Sequence, residues 1–253
     1  MFAMKADHSL SAVKPERDAY GQEIWHCYKG HSSYEIVERD DGLIDIGSAL
    51  PYFQDFTNWP AHEQEAIQRV RGRVLDVGCG AGRVALHLQK KGHVVLAIDN
   101  SPLAVRVAKL RGVKKARVLS IQAIHTLRSP FDSIVLFGNN FGLFGSKARA
   151  RQLLRAMFQI TSPDSTILAT AADPYRTRDP VHLAYQERNR QRGRMSGQLR
   201  VRIRHRQFRG GWFDYLFASA TEVREIVANT GWIVSSVVQS PGPGFVAILK
   251  KKV

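Results

Sequence analysis

The chain is short of cysteine, of acid and of long apolar runs, and each shortage excludes something. Two cysteines, Cys27 and Cys79, among 253 residues are too few for a disulfide framework. That scarcity points to a reducing, cytoplasmic setting. No apolar run approaches the ~18 residues that read as a membrane-spanning helix, and Met1 to Asp18 is polar, without a signal-peptide core. The nine histidines lack zinc-ligand spacing, so no metal is expected. Neither a Ser-His-Asp arrangement nor an internal repeat can be argued. Asp and Glu number 22 against 37 Lys and Arg, a formal net charge of +15. Such a balance favours an anionic partner (RNA, a phosphorylated molecule or an acidic metabolite) or serves solubility alone. The length fits one large domain, or one domain with a small cap.

What is present is organised around Val74 to Ser101. The branched run Val74-Leu75-Asp76-Val77 reads as a buried parallel strand. It ends in Gly78-Cys79-Gly80-Ala81-Gly82, where glycine permits a sharp turn and the close approach of a ligand. A helix follows through Val84, Leu86 and Leu88 to the stop at Lys90-Lys91-Gly92. A second strand, Val94 to Ile98, then ends in Asp99. A carboxylate at that tip suits the two hydroxyls of a ribose. The nicotinamide fingerprint needs G-x-G-x-x-G to seat a pyrophosphate. Here the spacing is G-x-G-x-G, and Asp76, two residues before the first glycine, would repel a pyrophosphate but suit an ammonium. A nucleoside with an amino-acid tail matches both carboxylates, and S-adenosylmethionine is such a molecule.

With these residues in this register, the chain resembles the class I S-adenosylmethionine-dependent methyltransferases from about Arg71 to Val253. The resemblance implies an α/β fold, a Rossmann-like doubly wound seven-stranded sheet with one antiparallel strand. It implies S-adenosyl-L-methionine held by Asp76, Gly78, Cys79, Gly80, Gly82, Arg83, Asp99, Asn100, Ser101, Gln122, Ala123, Ile124, Gly138 and Asn139. In the family an aspartate often ends the third strand and accepts from the adenine amino group. Gln122 departs from that pattern, leaving the contact to its amide or to the backbone of Ala123 and Ile124.

Residues 1–70 read as a leader and a cap over the active site. Met1 to about Asp18 is the leader, Asp18 to Lys29 a short helix, and Asp40-Asp41-Gly42 the turn of a hairpin. Tyr20, Tyr52 and Trp59 are candidate walls of the acceptor pocket. Residues 71–253 read as the methyltransferase domain. Within it Ser101-Pro102 starts a helix, and strand three spans Ala116 to Ile121. Strand four, Phe131 to Phe137, runs into Gly138-Asn139-Asn140. Strand five, Thr166 to Ala171, leads to Asp173 and Tyr175. Asn139, Asn140, Asp173 and Tyr175 are the candidate catalytic residues at strand ends facing the crevice. No Asn-Pro-Pro-Tyr motif is present, which counts against methylation of an exocyclic base or glutamine amine.

An insert at about 176–219 is rich in arginine. Leu199 to Arg206 alternates strictly, placing arginines on one face of a β-hairpin strand, with Trp212 to Phe217 as its partner. Such a comb suits phosphates, or guards an outer strand against aggregation. Arg188 and Arg192, nearer the presumed mouth, are candidate acceptor-binding residues. The expected function is methyl transfer to a small or medium-sized, anionic acceptor. An RNA methyltransferase using the insert is the alternative, and a non-catalytic cofactor-binding regulator a third reading.

Overall fold

The computed structural model describes residues 12–128 and 130–252. The leader's residues 1–11 lie outside it. From residue 13 the chain is anchored, with the Val13 N–H donating to the Asn100 carbonyl at 3.0 Å.

The elements are α1 (Ala19–Tyr28), β1 (Tyr34–Arg39), β2 (Ile44–Ser48), α2 (Ala61–Ile67), β3 (Arg73–Val77), α3 (Arg83–Lys90), β4 (Val94–Asp99), α4 (Pro102–Leu110), β5 (Ala116–Val118) and β6 (Phe131–Leu136). They continue as α5 (Lys147–Gln159), β7 (Thr161–Ala172), α6 (Pro180–Gln191), β8 (Gln198–His205), β9 (Phe208–Arg209), β10 (Phe213–Leu216), α7 (Ala220–Val227), β11 (Trp232–Gln239) and β12 (Gly244–Lys251).

A seven-stranded sheet runs β11-β12-β7-β6-β3-β4-β5, and only β12 is reversed, pairing antiparallel with both β7 and β11. Alternation sorts its side chains between two layers. Leu75 and Val77 point into a cluster with Phe141, Phe144, Leu154 and Trp232. Val74 points into the opposite cluster with Ala66, Ala85 and Leu88. Asp76 alternates with Leu75 and Val77, so it shares the face of Val74 and looks toward α2 and α3. Local chemistry sets the helix starts. Ser101 Oγ accepts from the Ala104 N–H at 3.0 Å with Pro102 at the first helical position. Ser219 and Glu222 form a full capping box for α7.

Strand three is shorter than expected. β5 covers three residues, and a 3₁₀ segment begins at Ile121. Ser120 stops the strand, because its Oγ accepts from the Gln122 N–H at 3.2 Å and turns the chain.

A second, antiparallel sheet runs β10-β8-β1-β2, with β9 attached to β8. The N-terminal hairpin and the arginine-rich insert are therefore one structure. Strand β8 is interior, between β1 and β10, and needs no charge to guard an edge. Directly opposed residues of an antiparallel pair share a face. The register Glu38↔Arg202 and Asp214↔Arg200 puts acids among the arginines on one face. Arg202 donates to Glu38 at 2.7 and 3.0 Å, Arg204 to Glu38 at 3.2 Å, and Arg200 to Asp214 at 3.3 Å. Arg206 leaves the comb altogether, in a turn at φ 50°.

Candidate active site

The loop after β3 holds Gly78, Gly80 and Gly82 at φ 71°, 51° and 83°, a conformation that a side chain would strain. A Cβ at Gly80 would lie 2.7 Å from Tyr20 Oη. The loop is tied to β4, as the Gly78 and Cys79 N–H groups donate to the Ile98 carbonyl at 2.9 and 3.0 Å. Asn140 ties it to the loop after β6, its amide donating to the carbonyls of Val77 and Gly78 at 2.9 Å each. The Asn140 amide is thus spent on holding two loops together.

Asp99 closes the glycine loop from the next strand. Its carboxylate accepts from the Gly80 N–H at 3.0 Å and the Ser101 N–H at 2.9 Å. Burial pushes it up to about 6 despite those donors. Ser101 Oγ donates to Asp18 at 2.8 Å, and Asn100 is exposed beside it. Cys79 is buried, and burial raises its thiol well above the ordinary range. The 3₁₀ segment carries Gln122, half-buried, with Ala123 and Ile124 buried behind it.

Beside this loop opens a pocket of about 510 Å³ between Trp59, Glu63, Arg83, Gly138, Asn139 and Thr170. Glu63 organises it. One carboxylate oxygen takes the Arg83 guanidinium at 2.6 Å, and the other accepts from the Gly138 N–H at 2.8 Å and Thr170 Oγ1 at 2.9 Å. The Arg83 guanidinium also lies over the Trp59 ring, 4.6 Å from its centroid. Burial drives Asp76 up to about 7, opposed chiefly by Arg83. Three buried polar atoms here lack a partner: Asp76 Oδ2, Arg83 Nη1 and Asn139 Oδ1. Groups this buried are ordinarily hydrogen-bonded, so two acceptors and a donor left open mark a place for a ligand. They match an ammonium and a carboxylate, the two ends of an amino acid. The residues present therefore fit the amino-acid tail of S-adenosylmethionine.

The structure brings Asp76, the glycine loop, Arg83, Asp99, Gly138 and Asn139 together with Tyr20, Tyr52 and Trp59. It does not bring Asp173, Tyr175, Arg188 and Arg192 to the same place. Asp173 lines a separate recess of about 240 Å³ with Arg176, Ser240 and Phe245. Tyr175 is exposed, and its hydroxyl donates to Glu222 at 2.8 Å. Arg188 stands 3.9 Å from Asp41, and Arg192 is exposed at the end of α6. Sequence reasoning missed Glu63 and Thr170. A glutamate in a short helix before the first core strand reads as solvated, and only folding shows that Glu63 is buried.

Among known proteins, residues 74–164 match the family model described as a methyltransferase domain. A crystal structure of a SAM-dependent methyltransferase from Bacteroides fragilis, in complex with S-adenosyl-L-homocysteine, superposes with a TM-score of 0.84. It is 27% identical, over 97% of this chain and 99% of that one. A methyltransferase structure from Clostridium acetobutylicum shares the fold at 12% identity, with a TM-score of 0.57 over 81% of this chain and 95% of that one. The ubiquinone biosynthesis O-methyltransferase of Xylella fastidiosa (strain M23) is 43% identical over 127 residues, 41% of this chain and 50% of that protein. The chain spans about half the length of the curated relatives it matches. Residues 74–164 thus match a methyltransferase domain within a chain that is similar over nearly its whole length to a SAM-dependent methyltransferase. Among the described residues, no helix is long and apolar enough to cross a membrane, and no group of three or more His, Cys, Asp or Glu side chains gathers as a metal site.

Proposed function

We propose that the protein transfers a methyl group from S-adenosyl-L-methionine to a small or medium-sized acceptor. The observation that carries this reading is the trio of open polar atoms on Asp76, Arg83 and Asn139 beside the glycine loop, matching an amino-acid tail. When bound, the cofactor supplies an electrophilic methyl carbon, so the protein's own work is alignment of the acceptor and removal of a proton. Asp76 and Asn139 accept from the ammonium, Arg83 donates to the carboxylate, and Asp99 accepts from the ribose. Gln122 to Ile124 border the adenine. Tyr20, Tyr52 and Trp59 wall the acceptor, and the loop of Asn139 and Asn140 frames its approach. Asp173 and Tyr175 stand outside that frame, and a direct role for them loses support.

An anionic acceptor, or RNA, drew its support from the basic charge and the arginine-rich insert. Within the insert, five of the eleven arginines are held in internal ion pairs of 3.5 Å or less: Arg194 and Arg200 on Asp214, Arg202 and Arg204 on Glu38, Arg190 on Glu187. The arginine comb therefore argues for a stable sheet more than for a phosphate clasp.

Calorimetry with S-adenosyl-L-homocysteine and with a short generic RNA, at low and moderate salt, tests the reading. Cofactor-product binding without RNA affinity is expected. Failure to bind the nucleoside would refute the assignment, and RNA binding that falls steeply with salt would favour the RNA alternative. Methyl transfer in an acceptor screen separates an enzyme from a cofactor-binding regulator.

A further inference from the structure

On the cap side of the glycine loop lies a second set of polar groups, buried or half-buried, that the cofactor assignment does not use. Helix α1 contributes Tyr20 and Glu23, strand β1 Glu35, the 3₁₀ segment after β2 Tyr52, and strand β10 Tyr215. Tyr52 Oη donates to Glu35 Oε1 at 3.0 Å, and the Tyr20 and Tyr52 rings meet edge to face at 5.3 Å. Both rings approach Gly80, and Tyr215 Oη donates to the Asn139 carbonyl at 2.6 Å. The set thus spans the two loops between which the methyl donor is placed.

The tyrosines and Glu35 are only half-buried, yet burial raises all four, most strongly the phenols. Half-buried themselves, they line the polar recess between α1, the cap sheet and the glycine loop, with the fully buried Glu23 behind them. Strand register explains why the recess is acidic. Arg200, Arg202 and Arg204 occupy one face of the cap sheet with Glu38 and Asp214, while Glu35 and Tyr215 alternate onto the other. Arg200, Arg202 and Arg204 therefore point away from the recess.

Glu23 is the unexplained member. It is fully buried, and both its carboxyl oxygens lack any partner. Among the described residues, neither Glu23 nor Glu35 has a lysine or arginine in an ion pair. Burial, and secondarily the neighbouring Glu35, hold Glu23 up at about 8. A buried carboxyl without a partner is costly, and a cation bound beside it relieves that cost.

We infer that this recess binds the acceptor through a cationic nitrogen: the substrate class is an amine, its ammonium held by Glu23 and Glu35 and its carbon skeleton packed on Tyr20, Tyr52 and Tyr215. The inference rests on the methyltransferase reading for calling the ligand an acceptor, but the recess itself is independent of it. The tyrosine rings add cation–π attraction for the same charge. A carboxylate that receives a proton from the ammonium leaves the lone pair on nitrogen, the form in which an amine is a nucleophile. An anionic acceptor would meet two carboxyls that, among the described residues, no lysine or arginine neutralises in an ion pair.

The test is a calorimetric and thermal-shift panel on the full chain, with and without S-adenosyl-L-homocysteine. The probes are alkyl- and arylamines beside their matched alcohols and carboxylates, such as 2-phenylethylamine, 2-phenylethanol and 3-phenylpropanoate. Ligands are expected among the amines, at least tenfold tighter than their uncharged or anionic counterparts. Glu23→Gln is expected to erase that preference while leaving affinity for the nucleoside within twofold. Glu35→Gln serves as the second variant should Glu23→Gln fold poorly. Binding of carboxylates or alcohols in place of amines, no amine among the ligands, or an undiminished preference in the folded variants would overturn the inference. Loss of nucleoside binding with retained amine binding would instead defeat the methyltransferase reading alone.

Discussion

Removing Glu63 tests whether the pocket is organised as described. The carboxylate is 1% exposed and satisfies three donors at once: Arg83, the Gly138 N–H and Thr170 Oγ1. Glu63→Ala leaves the Arg83 guanidinium, whose side chain is 12% exposed, without its counter-ion, and one of its nitrogens already has no partner. Breaking a buried pair from one side costs about 3–5 kcal/mol, because a charge is stranded. For a chain of this length that corresponds to a fall of roughly 6–20 °C in Tm. Replacing both partners, as Glu63→Ala with Arg83→Met, removes the stranded charge. It should recover most of the loss, with a coupling of about 2 kcal/mol or more between the sites. Urea denaturation of the two single variants, the double variant and the parent, followed by circular dichroism, measures the cycle. A cost below about 1 kcal/mol for Glu63→Ala, or additive costs in the double variant, would refute the reasoning, since the pair would then be solvated.

Three further outcomes are expected. Asp99→Ala should lower affinity for S-adenosyl-L-homocysteine by about a hundredfold, the loss of hydrogen bonds to a charged acceptor, with the far-ultraviolet spectrum unchanged. Unchanged affinity by calorimetry would sink the ribose assignment. Asp76, Asp99 and Glu23 are held up at about 7, about 6 and about 8, so the folded chain binds their protons more tightly than the unfolded one. Their stabilising contribution is full below about pH 4 and is lost as pH rises through 6 to 8, by at most on the order of 1.4 kcal/mol per pH unit for each titrating group. Denaturation of the ligand-free protein across that range should show Asp76→Asn with the shallower decline, and a slope equal to the parent's would contradict it. Gly142→Ala places a Cβ against the Tyr215 ring, so it should displace β10 from the Asn139 loop at about 1–3 kcal/mol. Faster hydrogen exchange confined to the cap sheet is the signature, and parental exchange rates there would show that the contact is not needed.

Local order made the cofactor half of the site legible. Strand, glycine turn, helix and Asp99 follow one another within Val74 to Ser101, and glycine's backbone freedom and the alternation of a strand are properties of neighbours in sequence. The helix start at Ser101 depends on an equally local signal, whereas the reversed β12 is implied only by the family resemblance. The hairpin at Asp40-Asp41-Gly42 could be read in the same way, but not the strand it would join. Pairings between distant residues were decided only by folding. Glu38 meets Arg202 across 164 positions, and Glu63 meets Thr170 across 107. Each such pairing changes what a residue can do. The arginine comb, free for phosphate in the sequence, spends its charge on Glu38 and Asp214. Glu23 and Glu35, two ordinary glutamates when read singly, become an acidic recess only because α1 and the cap sheet enclose them. Composition fixes how much charge a chain carries, whereas tertiary structure decides which charges neutralise each other and which are left facing a ligand.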